Sequence, residues 1–443
     1  MDDTIFALAS GRGRAGVAVL RLSGPAAADA LRRLTDADLP APRQASLRHF
    51  RDPGTGEILD RGLAILFPAP RSYTGEDVVE LHLHAGQAVV AGVAEALAAM
   101  PGLRPAEPGE FTRRAFLNGK LDLTAAEGLA DLVAAETAAQ RRQALGQMEG
   151  ALARLYEDWR ARLIKALALV EAGIDFSDEE VPDGVIEAGR ATAMALEREI
   201  RLHLADGHRG ERLRDGVSIA ILGPPNAGKS TLLNKLAQRD AAIVSPVAGT
   251  TRDVIDIDID LDGYPVRIAD TAGLRPTGDA IETEGVRRAH RRAEAADLVV
   301  VVLDATIWPA PDPITEQALG GDVLVLMNKI DLRPISEPVT VHGKPAHMLS
   351  LATGEGFQEA RQAMVGRVRE LSESGAAPVL TRARHRAALE SAVDALARAG
   401  QAGAAELVAE DLRLAARALG RITGRVTVDD ILDVIFRDFC IGK

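Results

Sequence analysis

The sequence predicts a multidomain α+β and α/β protein: an N-terminal α+β domain, a central helical bundle, and a doubly wound α/β unit inserted into that bundle. Three observations predict it. At 443 residues the chain is long enough for two or three hydrophobic cores. Residues 217–222, apolar but for Ser218, and 323–327 are apolar runs of strand length, as strands covered on both faces require. The segments flanking that region, about 121–213 and 375–443, are rich in Ala, Leu, Glu and Arg at helical spacing. The resulting division is 1–120, 121–213, 214–374 and 375–443.

Within 1–120, residues 4–8 and 17–22 read as strands. Between them lies Gly11-Arg-Gly-Arg-Ala-Gly16, a formal G-x-G-x-x-G. A dinucleotide fingerprint must open a helix; a strand follows here, so the glycines read as a turn. Residues 26–34 are helical, 62–67 form a strand before Pro68, and Ser72-Tyr-Thr-Gly-Glu-Asp77 is a polar turn. Residues 78–84 then alternate, placing Glu80, His82 and His84 on one strand face. The His-x-His pair lacks evident further ligands and reads as a sheet face or polar pocket wall. Residues 88–100 are helical. Thr124 and Glu127 form a capping-box pattern that opens a helical stretch to about 172, broken near Gly150. An acidic turn at 174–184 precedes a second helix, about 185–205. The last segment ends with Thr427-Val-Asp-Asp430, another capping pattern, then a final helix and Cys440-Ile-Gly-Lys443.

The formal net charge of -12 argues against a broad basic nucleic-acid surface. Arg113-Arg114, Arg141-Arg142 and the Arg382, Arg384, Arg386 cluster read as solvated helix faces, with local RNA contact as the alternative. A single cysteine, Cys440, excludes an internal disulfide and points to a reducing compartment. The start lacks the order of a signal peptide, and no run is long enough to span a bilayer, so the expectation is a soluble cytoplasmic protein.

Chemistry concentrates in four stretches. Gly223-Pro-Pro-Asn-Ala-Gly-Lys-Ser230 fits the phosphate-binding loop, between a strand-like run and the helical spacing that starts at Thr231. Backbone N–H groups around Asn226, Ala227 and Gly228 would face phosphates, Lys229 would sit between the last two, and the Ser230 hydroxyl would ligate Mg²⁺. Asp270-Thr271-Ala272-Gly273 follows a strand, so Asp270 can hold the Mg²⁺ shell and the Gly273 N–H can touch the last phosphate. In Asn328-Lys329-Ile-Asp331 the Asp331 carboxylate accepts two N–H bonds from guanine, a donor pair adenine lacks. Ser350 to Ala352 would offer a backbone N–H to the guanine carbonyl. Together they predict a GTP-binding domain.

Leu274 stands where many such domains place a water-orienting Gln. Asp279, Glu282 and Glu284 are the candidate replacements, and the residues alone do not choose among them. A positive charge against the developing phosphate charge could come from Arg252, Arg275 or a monovalent cation. Asn226 could ligate such a cation together with carbonyls from 245–250, with Thr251 as second Mg²⁺ ligand.

The assembled residues resemble the tRNA-modification GTPases of the MnmE/TrmE type over nearly the whole chain. The marks are Asp3-Thr-Ile5 with Leu20-Arg21, Ser72-Tyr-Thr-Gly-Glu-Asp77, Phe116-Leu-Asn-Gly-Lys-Leu-Asp122, Asp270-Thr-Ala-Gly-Leu-Arg275 and Cys440-Ile-Gly-Lys443. The resemblance implies a folate-binding N-terminal domain that pairs two subunits. Arg21, Glu80, Lys120 and Lys443 match the residues lining a pocket for 5-formyl- or methylene-tetrahydrofolate. It implies K⁺ at Asn226, Ser245, Val247 and Thr250, Mg²⁺ at Ser230 and Thr251, and a water-orienting carboxylate at Glu282. It also implies a flavoprotein partner of the MnmG/GidA type, and joint addition of an aminomethyl-type group at carbon 5 of the tRNA wobble uridine. Cys440 is a candidate nucleophile beside that pocket, with a structural thiol as the alternative. Pro224, Ala85 and Leu351-Ala352 depart from the usual pattern. Two alternatives remain: a GTP-dependent RNA-binding ribosome-assembly factor, which calls for a basic appendage this acidic chain does not show, and a folate enzyme with a merely regulatory GTPase.

Overall fold

The computed structural model describes residues 3–11, 13–175, 184–240, 256–269, 293–309, 313–319, 321–335, 337–373 and 378–426, with 432, 435, 436, 439 and 442 beyond them. They form two compact units, 1–130 with 420–443, and 131–419.

The first unit contains β1 (Thr4–Leu8), β2 (Ala18–Ser23), α1 (Ala27–Thr35), β3 (Ser46–Arg51), β4 (Ile58–Phe67), β5 (Val78–Leu83), α2 (Gln87–Ala98), β6 (Leu103–Pro105) and α3 (Glu110–Leu117); α4 (Leu123–Ala134) begins in it. The sheet order is β3-β4-β5-β2-β1-β6, antiparallel except where β6 runs parallel to β1. The alternation read from the sequence buries one face. Leu20, Leu22, Phe50 and Leu81 pack there with Leu31 and Leu34 of α1 and Leu97 of α2. The opposite face carries Arg21 and Glu80, directly paired between β2 and β5. The glycines at 11, 13 and 16 lie in the link between the antiparallel strands β1 and β2, as a turn requires.

The C-terminal tail returns to this unit. Leu432, Phe436 and Phe439 pack on Leu123 and Ala126 of α4. Gly109 (φ +69°) leaves room for the Phe436 carbonyl, 2.4 Å from where its β-carbon would stand. Gly442 (φ +100°) does the same for the carbonyl of Leu8, at 2.2 Å. In left-handed backbone pressed against main chain, only glycine fits without strain.

The second unit opens with α5 (Ala138–Met148), α6 (Ala151–Asp175), α7 (Val185–Leu204) and α8 (Arg209–Asp215). Then come β7 (Val217–Leu222), α9 (Lys229–Arg239), β8 (Asp256–Leu261), β9 (Tyr264–Ala269), β10 (Leu298–Asp304), α10 (Pro313–Leu319), β11 (Val323–Asn328), β12 (Thr340–Val341), β13 (Lys344–Met348), α11 (Phe357–Ser372), α12 (Ala383–Gln401) and α13 (Ala405–Thr423). The sheet order is β12-β13-β11-β10-β7-β9-β8; its interior is parallel, and β8 and β12 are antiparallel edges. Leu232 and Leu236 of α9 and Met364 and Val368 of α11 cover one face, and Leu319 of α10 covers the other. Helices on both faces make the unit doubly wound and explain the largely apolar strands.

Helices α6 and α12, from opposite sides of this sheet in sequence, both pack on α7. Tyr156 and Trp159 of α6 meet His203 of α7 edge-on, at 5.9 and 5.4 Å between ring centres, and His385 of α12 lies 6.1 Å from Tyr156. Asp131 accepts from Arg214 Nε at 3.0 Å and from Arg382 Nη2 at 2.6 Å, tying the stretches just before and just after the α/β layers. Gln140 and Gln143 of α5 donate to the carbonyls of Arg214 and Gly210 at 3.0 and 3.1 Å, and Gln147 accepts from Thr381 at 2.9 Å.

Local expectations shift in three places. The sequence reading has no strand at Ser46–Arg51, because Leu47 is 52% exposed there and charges dominate, as suits an edge strand. Asp122, not Thr124, caps α4: its Oδ1 accepts from the Ala125 N–H at 3.0 Å and from the Thr124 hydroxyl at 2.6 Å. Thr124 and Glu127 are buried in the helix. The true capping box is Thr137 with Gln140, which breaks the long helical stretch before α5. The pattern at 427–430 lies outside the described residues.

Candidate functional site

The loop after β7 is shaped by its neighbours. Gly223 (φ +142°) faces β10 so closely that a β-carbon would lie 2.1 Å from the Val302 carbonyl oxygen. Gly228 (φ +108°) would place one 2.3 Å from Asn328 Nδ2. The glycines that phosphate approach demands are therefore also demanded by the strands beside them. Asn226 takes a left-handed backbone (φ +61°), which asparagine tolerates, and is exposed. Ala227 is fully buried. Lys229 opens α9 and donates from Nζ to the carbonyls of Gly223 and Pro224, each at 2.8 Å, bridging the loop. Ser230 and Thr231 are exposed on the first turn of α9, where N–H groups lack intrahelical partners.

Asn328, at the end of β11, joins three motifs. It is 4% exposed. Its Nδ2 donates to the Ala227 carbonyl at 2.7 Å, and its Oδ1 accepts from the Leu351 N–H at 2.9 Å. The Ser350 N–H donates to the Glu355 carbonyl at 2.8 Å, and the Ser350 hydroxyl accepts from the Thr353 N–H at 3.1 Å. Of the three amides expected near the guanine carbonyl, that of Ser350 is thus engaged within the loop and that of Leu351 by Asn328. Lys329 takes φ +67°, and its Nζ pairs with Asp304 Oδ2 at 2.6 Å. Asp331 is exposed on the same loop. The sequence reading missed Asp304, which ends β10 in register with Asn328.

On the first unit's open sheet face, Glu80 Oε1 accepts from Arg21 Nε at 3.1 Å and Nη2 at 2.9 Å. The guanidinium lies 5.3 Å from the Tyr73 ring centre and 5.8 Å from that of Phe111. Burial pushes the Tyr73 phenol above its ordinary value, so it stays protonated and shares a 2.8 Å hydrogen bond with Thr112. His82 Nε2 stands 3.5 Å from Glu80 Oε2, while His84 pairs with Asp60 beyond the strand end. Lys120 is exposed beside Gly75. Next to this face lies a buried ion cluster. Arg114, with no exposed side-chain surface, donates to Asp3 Oδ1 at 2.8 Å, Glu76 Oε2 at 3.1 Å and Glu110 Oε1 at 3.1 Å. Asp3 and Glu76 come from two of the resembling motifs, so those motifs carry structural weight.

Comparison with known proteins decides what this pair of folds is. The family model described as the MnmE helical domain matches residues 123–440, and that of the GTP-binding protein TrmE N-terminus matches 4–120. The tRNA modification GTPase MnmE of Parvibaculum lavamentivorans is 60% identical over 445 residues, covering 100% of both chains.

The chain belongs to the MnmE family of tRNA modification GTPases.

The MnmE of Paramagnetospirillum magneticum is 56% identical over 443 residues, again covering 100% of each. The human mitochondrial 5-taurinomethyluridine-[tRNA] synthase subunit GTPB3 is 49% identical, covering 99% of this chain and 93% of its own. As a member of the MnmE family the protein is a GTPase. Its phosphate loop and the Asn328–Asp331 loop form one braced surface at the C-terminal ends of β7, β10 and β11. That is where open α/β sheets bind nucleotides.

Several positions that the sequence singles out fall outside the described residues: Ser245, Val247, Thr250, Thr251, Arg252, Asp270, Thr271, Ala272, Gly273, Leu274, Arg275, Asp279, Glu282, Glu284, Cys440 and Lys443. No helix among the described residues is long and apolar enough to cross a membrane.

Proposed function

We propose that this GTPase drives the modification of carbon 5 of the wobble uridine in certain tRNAs, as a homodimer in complex with a flavoprotein of the MnmG/GidA type. The full-length identity to MnmE proteins and to the GTPB3 subunit carries the reading. The braced guanine-side loop supports it from geometry. In this reading residues 1–120 bind folate and dimerise, 121–213 and 375–443 form one helical domain, and 214–374 are the inserted GTPase domain, in a cytoplasmic protein.

The donor sets fit the implied groups. Ser230 with Thr251 would hold Mg²⁺, which supplies charge neutralisation between the last two phosphates. Asn226, exposed at a left-handed position in the loop, offers a carboxamide oxygen of the kind a hard cation takes. With Ser245, Val247 and Thr250 it would hold K⁺, which supplies the positive charge that an arginine gives elsewhere. Glu282 orients the attacking water in place of Leu274. Asp331 and Asn328 select guanine, and Lys229 neutralises the phosphates.

The Arg21–Glu80 pair, with its guanidinium near the Tyr73 and Phe111 rings, suits a pterin, whose edge offers paired N–H donors and whose face can stack. By the family resemblance Lys120 and Lys443 would join Arg21 and Glu80 in that pocket, with Cys440 as the candidate nucleophile. A reduced folate, 5-formyl- or methylene-tetrahydrofolate, supplies the one-carbon unit. The test is nucleoside analysis of tRNA from cells lacking this protein: the carboxymethylaminomethyl-type uridine should disappear, and an unchanged wobble-uridine profile would overturn the reading.

A further inference from the structure

Asp304 ends β10, and the sheet register pairs it with Asn328 at the end of β11. It is 7% exposed. Its Oδ1 accepts from the Thr306 N–H at 2.9 Å and the Thr306 hydroxyl at 2.6 Å. Its Oδ2 accepts from Lys329 Nζ at 2.6 Å. The turn behind it is fastened too. The Ala305 N–H donates to the Asn328 carbonyl at 2.9 Å, and Arg333 Nη1 donates to the carbonyls of Ala305 at 3.1 Å and Trp308 at 2.8 Å. Asp304 is therefore a fixed anchor, and Lys329 is the movable side chain attached to it. The lysine springs from a left-handed residue between Asn328, which grips the phosphate loop, and Asp331, which faces the base in the guanine-site reading.

We propose that Asp304 is a positioning residue for guanine nucleotide: it holds the Lys329 ammonium so that the lysine stem is laid out as a floor for the purine before nucleotide arrives. The inference rests on the guanine-site reading and deepens it. A lysine stem has several rotatable bonds, and ordering it only on binding would weaken affinity. Anchoring its ammonium moves that entropy cost into folding. The anchor also keeps a partly buried ammonium paired beside an apolar ring, where an unpaired one is unfavourable. Burial pushes the Asp304 carboxyl up, but the bonds from Lys329 and Thr306 outweigh it, and the group stays ionised at neutral pH. Nothing in this geometry touches the phosphates, so the effect belongs to nucleotide affinity and not to bond cleavage.

The test uses the full chain and a fluorescent N-methylanthraniloyl-GDP probe, with steady-state GTP turnover alongside. Asp304→Ala and Lys329→Met should each raise Kd about tenfold, with the turnover loss in KM and not in kcat. The double variant should bind no more weakly than Lys329→Met alone, because both changes remove one device. Asp304→Asn keeps the shape and the acceptor for Thr306 but loses the charge; it carries the test if the alanine variant does not fold. Wild-type affinity in Asp304→Asn, or losses that multiply in the double variant, would overturn the proposal. Should Lys329→Met alone leave Kd unchanged, the lysine is not part of the guanine site, and that reading falls together with the proposal.

Discussion

Asn328 Nδ2 donates to the Ala227 carbonyl at 2.7 Å, and this bond joins the loop after β7 to the loop after β11. The same amide's oxygen holds Leu351. Asn328→Ala breaks both bonds at a buried position, at about 1–3 kcal/mol for each group left unsatisfied. The expected outcome is GTP and GDP affinity weakened by about one to two orders of magnitude, measured by calorimetric titration. Gly228→Ala should do comparable damage, because its β-carbon would stand 2.3 Å from Asn328 Nδ2 in a left-handed backbone. Normal affinity in both variants would show that the brace is irrelevant to binding.

Acid should weaken the N-terminal unit through Arg114. Burial raises the Asp3 and Glu110 carboxyls, but the bonds from Arg104 and Arg114 outweigh it, and both titrate below their ordinary values of 3.8 and 4.5. For a lowered carboxyl the stabilisation is complete above the unfolded value and drains as pH falls through the folded one. It is therefore full at pH 6 and declines below about pH 4.5. Arg114→Met leaves Glu76 and Glu110 without their buried partner, at about 3–5 kcal/mol near neutrality. Thermal melts of the full chain should show this deficit at pH 7 and a smaller one at pH 4. A gap that stays constant with pH would exclude the ion cluster as its source.

Much of this was legible in the residues, for physical reasons that also mark the limits. The strands β7, β10 and β11 are buried on both faces, so each reads as an apolar run, and the glycines between β7 and α9 cannot be replaced without collision. Strand alternation makes Glu80 visible with His82 and His84 on one face, Arg21 comes only from the family resemblance, and only register shows that they pair. Strand β3 was illegible because an exposed edge carries Arg and His in place of an apolar stripe. Asp304 was illegible because its partner lies 25 positions away and is chosen by parallel pairing, which no local pattern records. The cap of α4 was misassigned by one hydrogen-bond choice: Asp122 sits one residue before the helix and outcompetes Thr124.

Hydrolysis should depend on potassium through the phosphate loop. Turnover is expected to be faster in K⁺ than in Na⁺ at equal ionic strength, and Asn226→Ala should erase that difference while still binding GDP. Glu282→Ala should bind GTP and hydrolyse it at least tenfold more slowly, since removal of one general-base contact typically costs about 10²–10⁴. Equal rates in both salts for the unaltered protein would remove the cation from the mechanism. Normal hydrolysis in Glu282→Ala would return the choice to Asp279 or Glu284.

Asp131 should govern how firmly the α/β layers are seated on the helices of their own unit. Its carboxylate takes Arg214 of α8, whose own carbonyl Gln140 holds, and Arg382, which opens α12. The two arginines converge from opposite ends of the inserted segment, so one carboxylate closes the loop that the insertion makes. Asp131→Asn keeps the shape but removes the negative charge, leaving two partly buried guanidinium groups to share a neutral amide. Charge-assisted bonds of this kind contribute about 1.5–3 kcal/mol each. The expected result is a lower Tm with GDP affinity unchanged, since no nucleotide-contacting residue is involved. Hydrogen exchange should rise first in 209–215 and 378–386, the two stretches that Asp131 joins. If exchange rises instead in the phosphate loop, the carboxylate is coupled to the nucleotide site and not only to the seam.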